Sequence, residues 1–389
     1  DGFANLEGGA EECDGSDYGG ATCADDPPND DGTLSCDGSC ALDFSACFES
    51  CTDSWDCDTL GQQCITTVCQ DAGNTCDASP VPVSGYSDHV FNHTLANLDN
   101  SYNGHDCGAI GLSDSEGRDK VYAVEMTAGD YLVAWLEPNG WDGVLYLSTQ
   151  CDASFPNAPG SCPVGWHRSG TDGDHERLDY VATSTGTVYL VVDVDDGMTM
   201  STYDYTLSVT LGDGTNLRYA DTVDDLIFTE IIPRPNSNDC EWYEITNMAG
   251  VPLNLEGMRF EYEGSGKDFD INYPLILEVG EYMVLGRSAD TNNNCGVEWV
   301  SWEGSGFDLK NNGPVRAIYD PTGTPVIIDE VPYIDTWPYS DDHAMYLCPG
   351  SFNSVANDDA TAWAEDGSNA YGGEPTYGTP AAANPASCP

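Results

Sequence analysis

Seventeen cysteines spread unevenly over 389 residues decide where this chain needs a core and where it does not. Ten fall between Cys13 and Cys76, three in the middle (Cys107, Cys151 and Cys162) and four in the last third (Cys240, Cys295, Cys348 and Cys388). Residues 1–71 are rich in Gly, Asp and Cys and show almost no apolar periodicity. Such a segment cannot bury enough surface to hold itself together and must be stapled by covalent bridges. Zinc is the competing use of a dense cysteine block, but zinc knuckles want C-x2-C pairs. The spacings here are Cys36-x3-Cys40, Cys47-x3-Cys51 and Cys64-x4-Cys69, with no C-x2-C. Disulfides are therefore expected, and with them an oxidising, secreted setting.

Charge narrows the partners. The chain carries 67 acidic residues against 11 Lys and Arg, a net charge of −56, while 40% of its residues are hydrophobic. Disorder needs low hydrophobicity as well as high charge, so the expectation is folded domains with an anionic skin. That skin repels nucleic acid and anionic lipid, which excludes nucleic acid as a partner. It also repels itself unless salt or bound cations screen it; at about 1 M salt the Debye length falls to ~3 Å. A saline habitat or a calcium-rich surface suits such a chain. Apolar stretches such as 188–192 and 275–277 are strand-sized and far short of the ~20 residues that cross a bilayer, so no membrane insertion is expected. Asp1 opens directly into polar sequence, which reads as an already processed start.

The cysteine-rich start divides in two. Residues 11–15 (EECDG), 19–23 (GGATC) and 32–36 (GTLSC), followed by Cys40 and Cys47, form one unit over 1–50. It resembles the Cys-rich repeat of secreted proteins of myxobacteria and their relatives, which usually opens with one more cysteine. Its five cysteines (13, 23, 36, 40 and 47) cannot all pair internally, leaving a thiol for an upstream partner, a free state or another molecule. Cys51, Cys57, Gly61, Cys64 and Cys69 form a second small knot over 51–71, similar to short knots of the same proteins. Its four cysteines allow three connectivities.

From residue 72 the pattern becomes strands. Residues 120–126 (KVYAVEM), 130–136 (DYLVAWL), 143–147 (GVLYL), 187–194 (TVYLVVDV) and 203–211 (YDYTLSVTL) are rich in Val, Tyr and Leu, with turn residues at 137–140 and 195–197. Several short strands at this spacing predict a sandwich. Thr75-Cys76-Asp77, Cys107-Gly108, 117–122 (GRDKVY), 141–146 (WDGVLY), Cys151, Cys162, 191–193 (VVD) and 205–207 (YTL) resemble the bacterial pre-peptidase C-terminal domain, a jelly-roll-like module, over 72–212. That resemblance implies the bridges Cys76–Cys107 and Cys151–Cys162.

Residues 213–223 read as a polar linker. Beyond them, 226–233 (LIFTEIIP), 241–247 (EWYEITN), 251–257 (VPLNLEG), 282–286 (YMVLG), 309–313 (LKNNG), 319–321 (YDP), 331–333 (VPY) and the closing 378–385 (GTPAAANP) resemble the lamin-tail domain in its bacterial secreted form, an immunoglobulin-like sandwich, over 224–389. Read without the family, Phe228, Ile231, Trp242, Ile245, Leu253, Leu255, Val284, Ile318, Ile327 and Val331 are the apolar positions of short strands. Cys240–Cys295 and Cys348–Cys388 are the expected staples, the second clamping the tail. The fold class expected for the whole chain is all-β: a disulfide-rich start followed by two sandwiches.

An enzyme should leave a constellation of residues. The chain has no G-x-S-x-G, no H-E-x-x-H, no Walker loop and no G-x-G-x-x-G after a strand. His89 and His93 are four apart in a stretch that is not helical, and Cys107 beside His105 is better explained as half of a staple. With 67 acids, a glycosidase-like carboxylate pair cannot be singled out. Calcium is the chemistry that acidic turns support, through six to eight oxygen ligands. The candidate clusters are Asp193 with Asp195 and Asp196, Asp172 with Asp174, and Asp30 with Asp31. The expected function is a non-enzymatic structural or adhesive surface protein that self-associates or binds other surface proteins. The alternatives are a glycan-binding module, using Trp299, Trp302, Trp337 or Trp363, and an accessory part of a secreted hydrolase.

Overall fold

The computed structural model describes residues 13, 16, 18–37, 41–52, 57, 62–65, 67–71, 73, 75–76, 80–98, 100–102, 117–151, 162–166, 172–195, 203–262, 268–304, 307–321, 323–372 and 376–388. Among these the chain is all-β, with short 3-10 turns and no α-helix. Every cysteine in the described residues is disulfide-bonded.

The start of the chain forms three small two-stranded sheets: β1 (Asp31–Gly32) with β4 (Cys47–Phe48), β2 (Ser35–Cys36) with β3 (Leu42–Asp43), and β5 (Gln62–Ile65) with β6 (Val68–Asp71). Cys13–Cys36 and Cys23–Cys47 staple the first two, and Cys51–Cys64 with Cys57–Cys69 staple the third. Cys51, Cys57 and Cys69 supply the buried contacts that apolar side chains supply elsewhere. The third sheet docks by polar contacts. Gln63 donates to the carbonyls of Thr94 and Ala96 and accepts from Lys120 Nζ at 2.8 Å.

Nine strands build the first sandwich: β7 (Val81–Val83), β8 (Asp88–Thr94), β9 (Lys120–Met126), β10 (Tyr131–Pro138), β11 (Gly143–Ser148), β12 (Val164–Trp166), β13 (Glu176–Val181), β14 (Gly186–Val194) and β15 (Asp204–Gly212). One sheet runs β13-β10-β15-β8 and the other β12-β11-β14-β9-β7. In β15 the alternation is plain: Tyr205, Leu207, Val209 and Leu211 face the core, while Thr206 and Thr210 bond outward to Asn92 and Asp88 on β8. Trp141 plugs one end, with its indole N–H on the Asp204 carbonyl at 2.8 Å. Gly143 follows because a Cβ there would lie 2.7 Å from Leu136 and 2.9 Å from Pro138.

The five-stranded sheet is covered on its second face too, by Cys76 and Tyr102 against Val121, Val144, Tyr146 and Val191. Here the bridge pattern departs from the expected one. Cys76 is bonded to Cys151 across 75 residues, so neither Cys76–Cys107 nor Cys151–Cys162 forms. Cys162 has another disulfide partner, and Cys107 lies outside the described residues. Cys76 packs on the outer face of this sheet and is bonded to Cys151 just beyond the end of β11.

The second sandwich begins inside the stretch read as a linker. β16 (Arg218–Tyr219) runs parallel to β19 (Leu253–Asn254), which pairs with β22 (Ile276–Leu277). Ala220 is fully buried in the same core. A six-stranded sheet orders β24 (Val300–Glu303), β23 (Tyr282–Gly286), β18 (Trp242–Asn247), β17 (Leu226–Ile231), β27 (Met345–Leu347) and β28 (Trp363–Glu365). A four-stranded sheet orders β21 (Phe269–Asp270), β20 (Met258–Tyr262), β25 (Val315–Tyr319) and β26 (Val326–Val331). A last small hairpin joins β29 (Ala370–Tyr371) to β30 (Thr376–Tyr377). Phe228, Tyr243 and Phe260 meet in the core between the sheets. Of the apolar positions named above, Ile327 turns outward and is 48% exposed.

Covalent and polar ties hold the ends of this sandwich. Cys240 is bonded to Cys295, and Cys348 to Cys388. Fully buried Glu230 accepts the Thr379 N–H at 3.0 Å and its hydroxyl at 2.9 Å. Asn384 donates to the carbonyls of Thr229 and Leu347. The last residues are thereby sewn across β17 and β27.

The two sandwiches meet on the outer face of the four-stranded sheet. Successive residues of β10 alternate, so Leu132, Ala134 and Leu136 enter the core while Tyr131, Val133 and Trp135 face outward. Arg177 lies opposite Trp135 across the β10–β13 pair, with its guanidinium carbon 5.2 Å from the Trp135 ring centre. Its side chain is fully buried and all five of its N–H groups are used. Two go to Asp179 (2.8 and 2.9 Å), one each to Glu281 (2.7 Å) and Ser301 (2.9 Å), and one to the Ile276 carbonyl. Asp179 also accepts the Ile276 N–H at 2.9 Å, so both backbone groups of Ile276 are claimed by the first sandwich. Burial disfavours the charged guanidinium, but Asp179 and Glu281 outweigh it and keep Arg177 protonated.

Arg177→Met should cost about 3–5 kcal/mol in urea unfolding, because it strands buried Asp179 without a counter-charge. Arg177→Met with Asp179→Asn should recover part of that loss; equal losses in single and double variants would remove Arg177 from this role. Glu230 predicts a pH effect. Burial pushes its carboxyl up to about 8, against the opposing pull of Thr379. A folded pKa above the unfolded one means stability is greatest at low pH and falls as pH climbs toward 8. Glu230→Gln should flatten that fall and change little at pH 4; an unchanged pH profile would count against it.

Candidate functional site

Two places bring together groups that a structural role alone does not exhaust. The first lies under Cys76 and Tyr102, on the outer face of the five-stranded sheet. Asp119 enters just before β9 and Asp193 near the end of β14, and both side chains are buried. One oxygen of Asp119 accepts the N–H groups of Ser101 and Tyr102 at 2.6 and 2.7 Å. Its other oxygen is buried with no hydrogen-bond partner among the described residues. Asp193 stands close by, 3.4 Å from the Tyr146 hydroxyl. Burial first and Asp193 second raise the Asp119 carboxyl well above the usual carboxylate range. Two carboxyl groups placed together out of water have two stable states: they share a proton, or they hold a cation. The donors are all hard oxygens, a set suited to calcium or magnesium rather than to a thiolate- or imidazole-seeking metal.

The remaining acidic candidates are not gathered at this pair. Asp195 leaves β14 with its N–H on the Asp142 carbonyl at 3.1 Å, and Asp196 lies outside the described residues. Asp30 is spent on Ser50, whose N–H and hydroxyl it accepts at 2.6 and 2.9 Å. Asp31 accepts the N–H of Gly32. Asp172 and Asp174 lie in a small polar cleft at the seam between the sandwiches, with His175 and Glu298. Asp174 is committed there to Thr291, accepting its hydroxyl at 2.5 Å and its N–H at 3.2 Å. His89 and His93 both sit on β8, where His93 bonds the Tyr122 hydroxyl at 2.8 Å, and burial pushes His93 down to about 4.

The second place is a larger cleft of about 380 Å³ along the same seam. Trp135 comes from β10 of the first sandwich; Tyr282, Trp299 and Ser301 come from or beside β23 and β24 of the second. The Trp135 and Trp299 rings meet edge to face with centres 5.1 Å apart. His175 packs on Trp299 at 4.0 Å between centres. Ala381, Ala382 and Ala383 of the tail form the opposite wall. Of the four tryptophans singled out from the sequence, Trp302, Trp337 and Trp363 are core residues of the second sandwich, and Trp299 alone reaches this cleft. Asp119, Trp135 and Arg177 were not singled out. For Trp135 a signal existed: residues 131–136 alternate in direction, and an aromatic residue on the outer face of a sheet needs something to cover it.

No family model matches the chain, and no curated protein matches it in sequence. About a third of the chain aligns with nearly the whole of each of three solved structures. One is a periplasmic inhibitor of g-type lysozyme from Aeromonas hydrophila, 14% identical, matching 34% of this chain and 96% of the inhibitor with a TM-score of 0.20. Another is the pre-peptidase C-terminal domain of a collagenase from Bacillus anthracis, 13% identical over 34% of this chain and 94% of that domain, TM-score 0.20. A third is a surface-associated copper-binding protein of Methylomicrobium album, 8% identical over 34% of this chain and 98% of that protein, TM-score 0.21.

Proposed function

We propose that this chain is a non-enzymatic, calcium-stabilised component of an extracellular surface or matrix, one that works by holding its two sandwiches as a single stiff unit. The observation that carries the reading is the Arg177 seam. A guanidinium with all five donors used between two sandwiches leaves little freedom for the hinge motion that many enzymes use. The bonded cysteines point to an oxidising compartment, extracellular or periplasmic. Among the described residues no helix is long and apolar enough to cross a membrane.

The strongly shifted acids of the second sandwich support the same reading, since each serves the fold. Glu230 holds Thr379, Glu241 holds the Leu309 N–H, and Asp329 holds the Phe228 N–H and the Asn357 amide. Calcium belongs with the Asp119–Asp193 pair, where it would replace a shared proton and relieve the repulsion of the two carboxylates. Asp119 and Asp193 would ligate it, and more ligands must come from nearby carbonyls or water.

Self-association has two supports. β8 ends its sheet and presents Val90, which is 62% exposed, and outer strands pair between chains unless guarded. An odd count of 17 cysteines leaves at least one without a partner within these residues. Native material sized with and without reductant should run as an assembly that shortens on reduction, and electron microscopy should show ordered polymers. Dispersed monomers in both conditions would end the assembly reading. For calcium, a metal level about a hundredfold above Kd should stabilise the fold by about 2.7 kcal/mol over chelated protein at equal ionic strength. Asp119→Asn should abolish that difference. Equal midpoints for the wild-type protein with calcium and with chelator would end the calcium reading.

A further inference from the structure

We propose that the cleft between the two sandwiches is a binding site for an uncharged oligosaccharide, held against Trp135 and Trp299. The proposal goes beyond the scaffold reading and requires neither self-association nor calcium.

The aromatic residues argue first. Trp141, Trp242, Trp302, Trp337 and Trp363 are buried as core residues, whereas Trp135 and Trp299 are only half-buried and both open onto the cleft. Edge-to-face at 5.1 Å, they form an L-shaped wall. An apolar ring face beside polar groups suits a pyranose, whose C–H face packs on an indole while its hydroxyls seek hydrogen bonds. Those partners are present. Ser301 Oγ accepts from Arg177 and keeps its own proton to donate. Tyr282 brings a hydroxyl, and Glu281 a carboxylate that Arg177 already orients. The volume of about 380 Å³ lies within the roughly 300–1,000 Å³ of small-ligand sites.

The charge then selects among sugars. Arg177 is the cation beside the cleft, and its five donors are all engaged by the protein, so none is left for an anionic ligand. Glu281 in the lining and a net charge of −56 repel uronic acids and sulfated chains. What fits is a neutral sugar whose hydroxyls donate to carboxylate oxygens.

The site is also built in advance. Trp135 is held by the Arg177 guanidinium on the neighbouring strand. The alanine wall is held on either side by Glu230, through Thr379, and by Asn384. A site ordered before binding loses less entropy on filling.

The test is calorimetry together with tryptophan emission, titrating the full chain with cellohexaose, mannohexaose, xylohexaose and maltohexaose, and with polygalacturonate as the charged counterpart. At least one neutral hexaose should bind saturably and shift the emission, while polygalacturonate should not. Trp299→Ala should weaken that binding by about tenfold or more, Trp299→Phe by less, and Tyr219→Ser, at an exposed aromatic elsewhere, not at all. Thermal melts report folding; should Trp299→Ala melt early, Trp299→Phe is read in its place. The site is overturned if none of the four hexaoses binds, if only polygalacturonate binds, or if binding is unchanged in the Trp299 variants. Sizing with and without reductant is independent of all these outcomes, so failure of the cleft and failure of the scaffold reading are separable.

Discussion

A guanidinium removed from water between two β-sandwiches is the constraint on which the arrangement of this molecule rests. Burying a charge is costly unless geometry returns the loss. Arg177 achieves this with two carboxylates, a serine hydroxyl and a backbone carbonyl. Two of its partners come from the second sandwich's β22 and β24, and a third, Glu281, lies just before β23. Separation of the sandwiches would break the bonds from Arg177 to Glu281, Ser301 and Ile276 and from Ile276 to Asp179, while the Arg177–Asp179 pair, both on β13, would stay together. The seam is thus fixed in register by directional bonds between named groups of the two sandwiches. Tyr131, Val133 and Ile276 add a small apolar contact beside it.

A chain with 67 acids has to place some of them inside, and the pattern of placement is consistent. Buried acids act as local substitutes for missing backbone partners. Asp329 supplies β17 with an acceptor for the Phe228 N–H, and Asp366 closes a turn over Ser368 and Asn369. Glu230 reaches from β17 to the tail. Burial raises Asp329 and Glu241 to about 7, and Glu230 to about 8. Each therefore sits partly protonated near neutral pH, which lowers the repulsion a buried anion would feel. The acid excess outside is a matter of solubility and screening; the acids inside are a matter of hydrogen bonding.

The all-β character was readable because strand periodicity depends on residues two apart. Residues 203–211 and 120–126 lie on strands as their alternation requires. The long-range staples Cys240–Cys295 and Cys348–Cys388 form as expected, but other meetings of distant segments escaped. Cys76 packs on the outer face of the five-stranded sheet and bonds to Cys151, 75 residues away, a pairing that spacing does not encode. Residues 213–223 look like a linker by composition, yet Arg218–Tyr219 pairs with Leu253–Asn254 and Ala220 is core. Arg177 in 176–181 (ERLDYV) alternates like a strand with a solvated charged face; only the docking of the second sandwich turns that face inward. The same docking turns Trp135 from a surface residue into a cleft wall. Asp119 and Asp193 were both quoted for a resemblance, and Asp193 as a metal candidate, but they stand 74 positions apart, and a carboxylate pair among so many acids has no local signature.

The tail connects these themes. The apolar side chains of residues 378–384 are only Ala and Pro, too small to keep the tail docked through hydrophobic burial alone. Glu230 and Asn384 supply directional bonds, and Cys348–Cys388 limits how far the end can stray. A Cβ on Gly378 would come within 2.8 Å of Glu230 and 3.2 Å of Trp242, so the approach is as close as glycine allows. Because Ala381–Ala383 also line the cleft, the buried glutamate under the tail helps fix the shape of a surface it does not touch. Glu230, Asn384 and the Cys348–Cys388 staple therefore all act on the one tail segment whose alanines line the cleft.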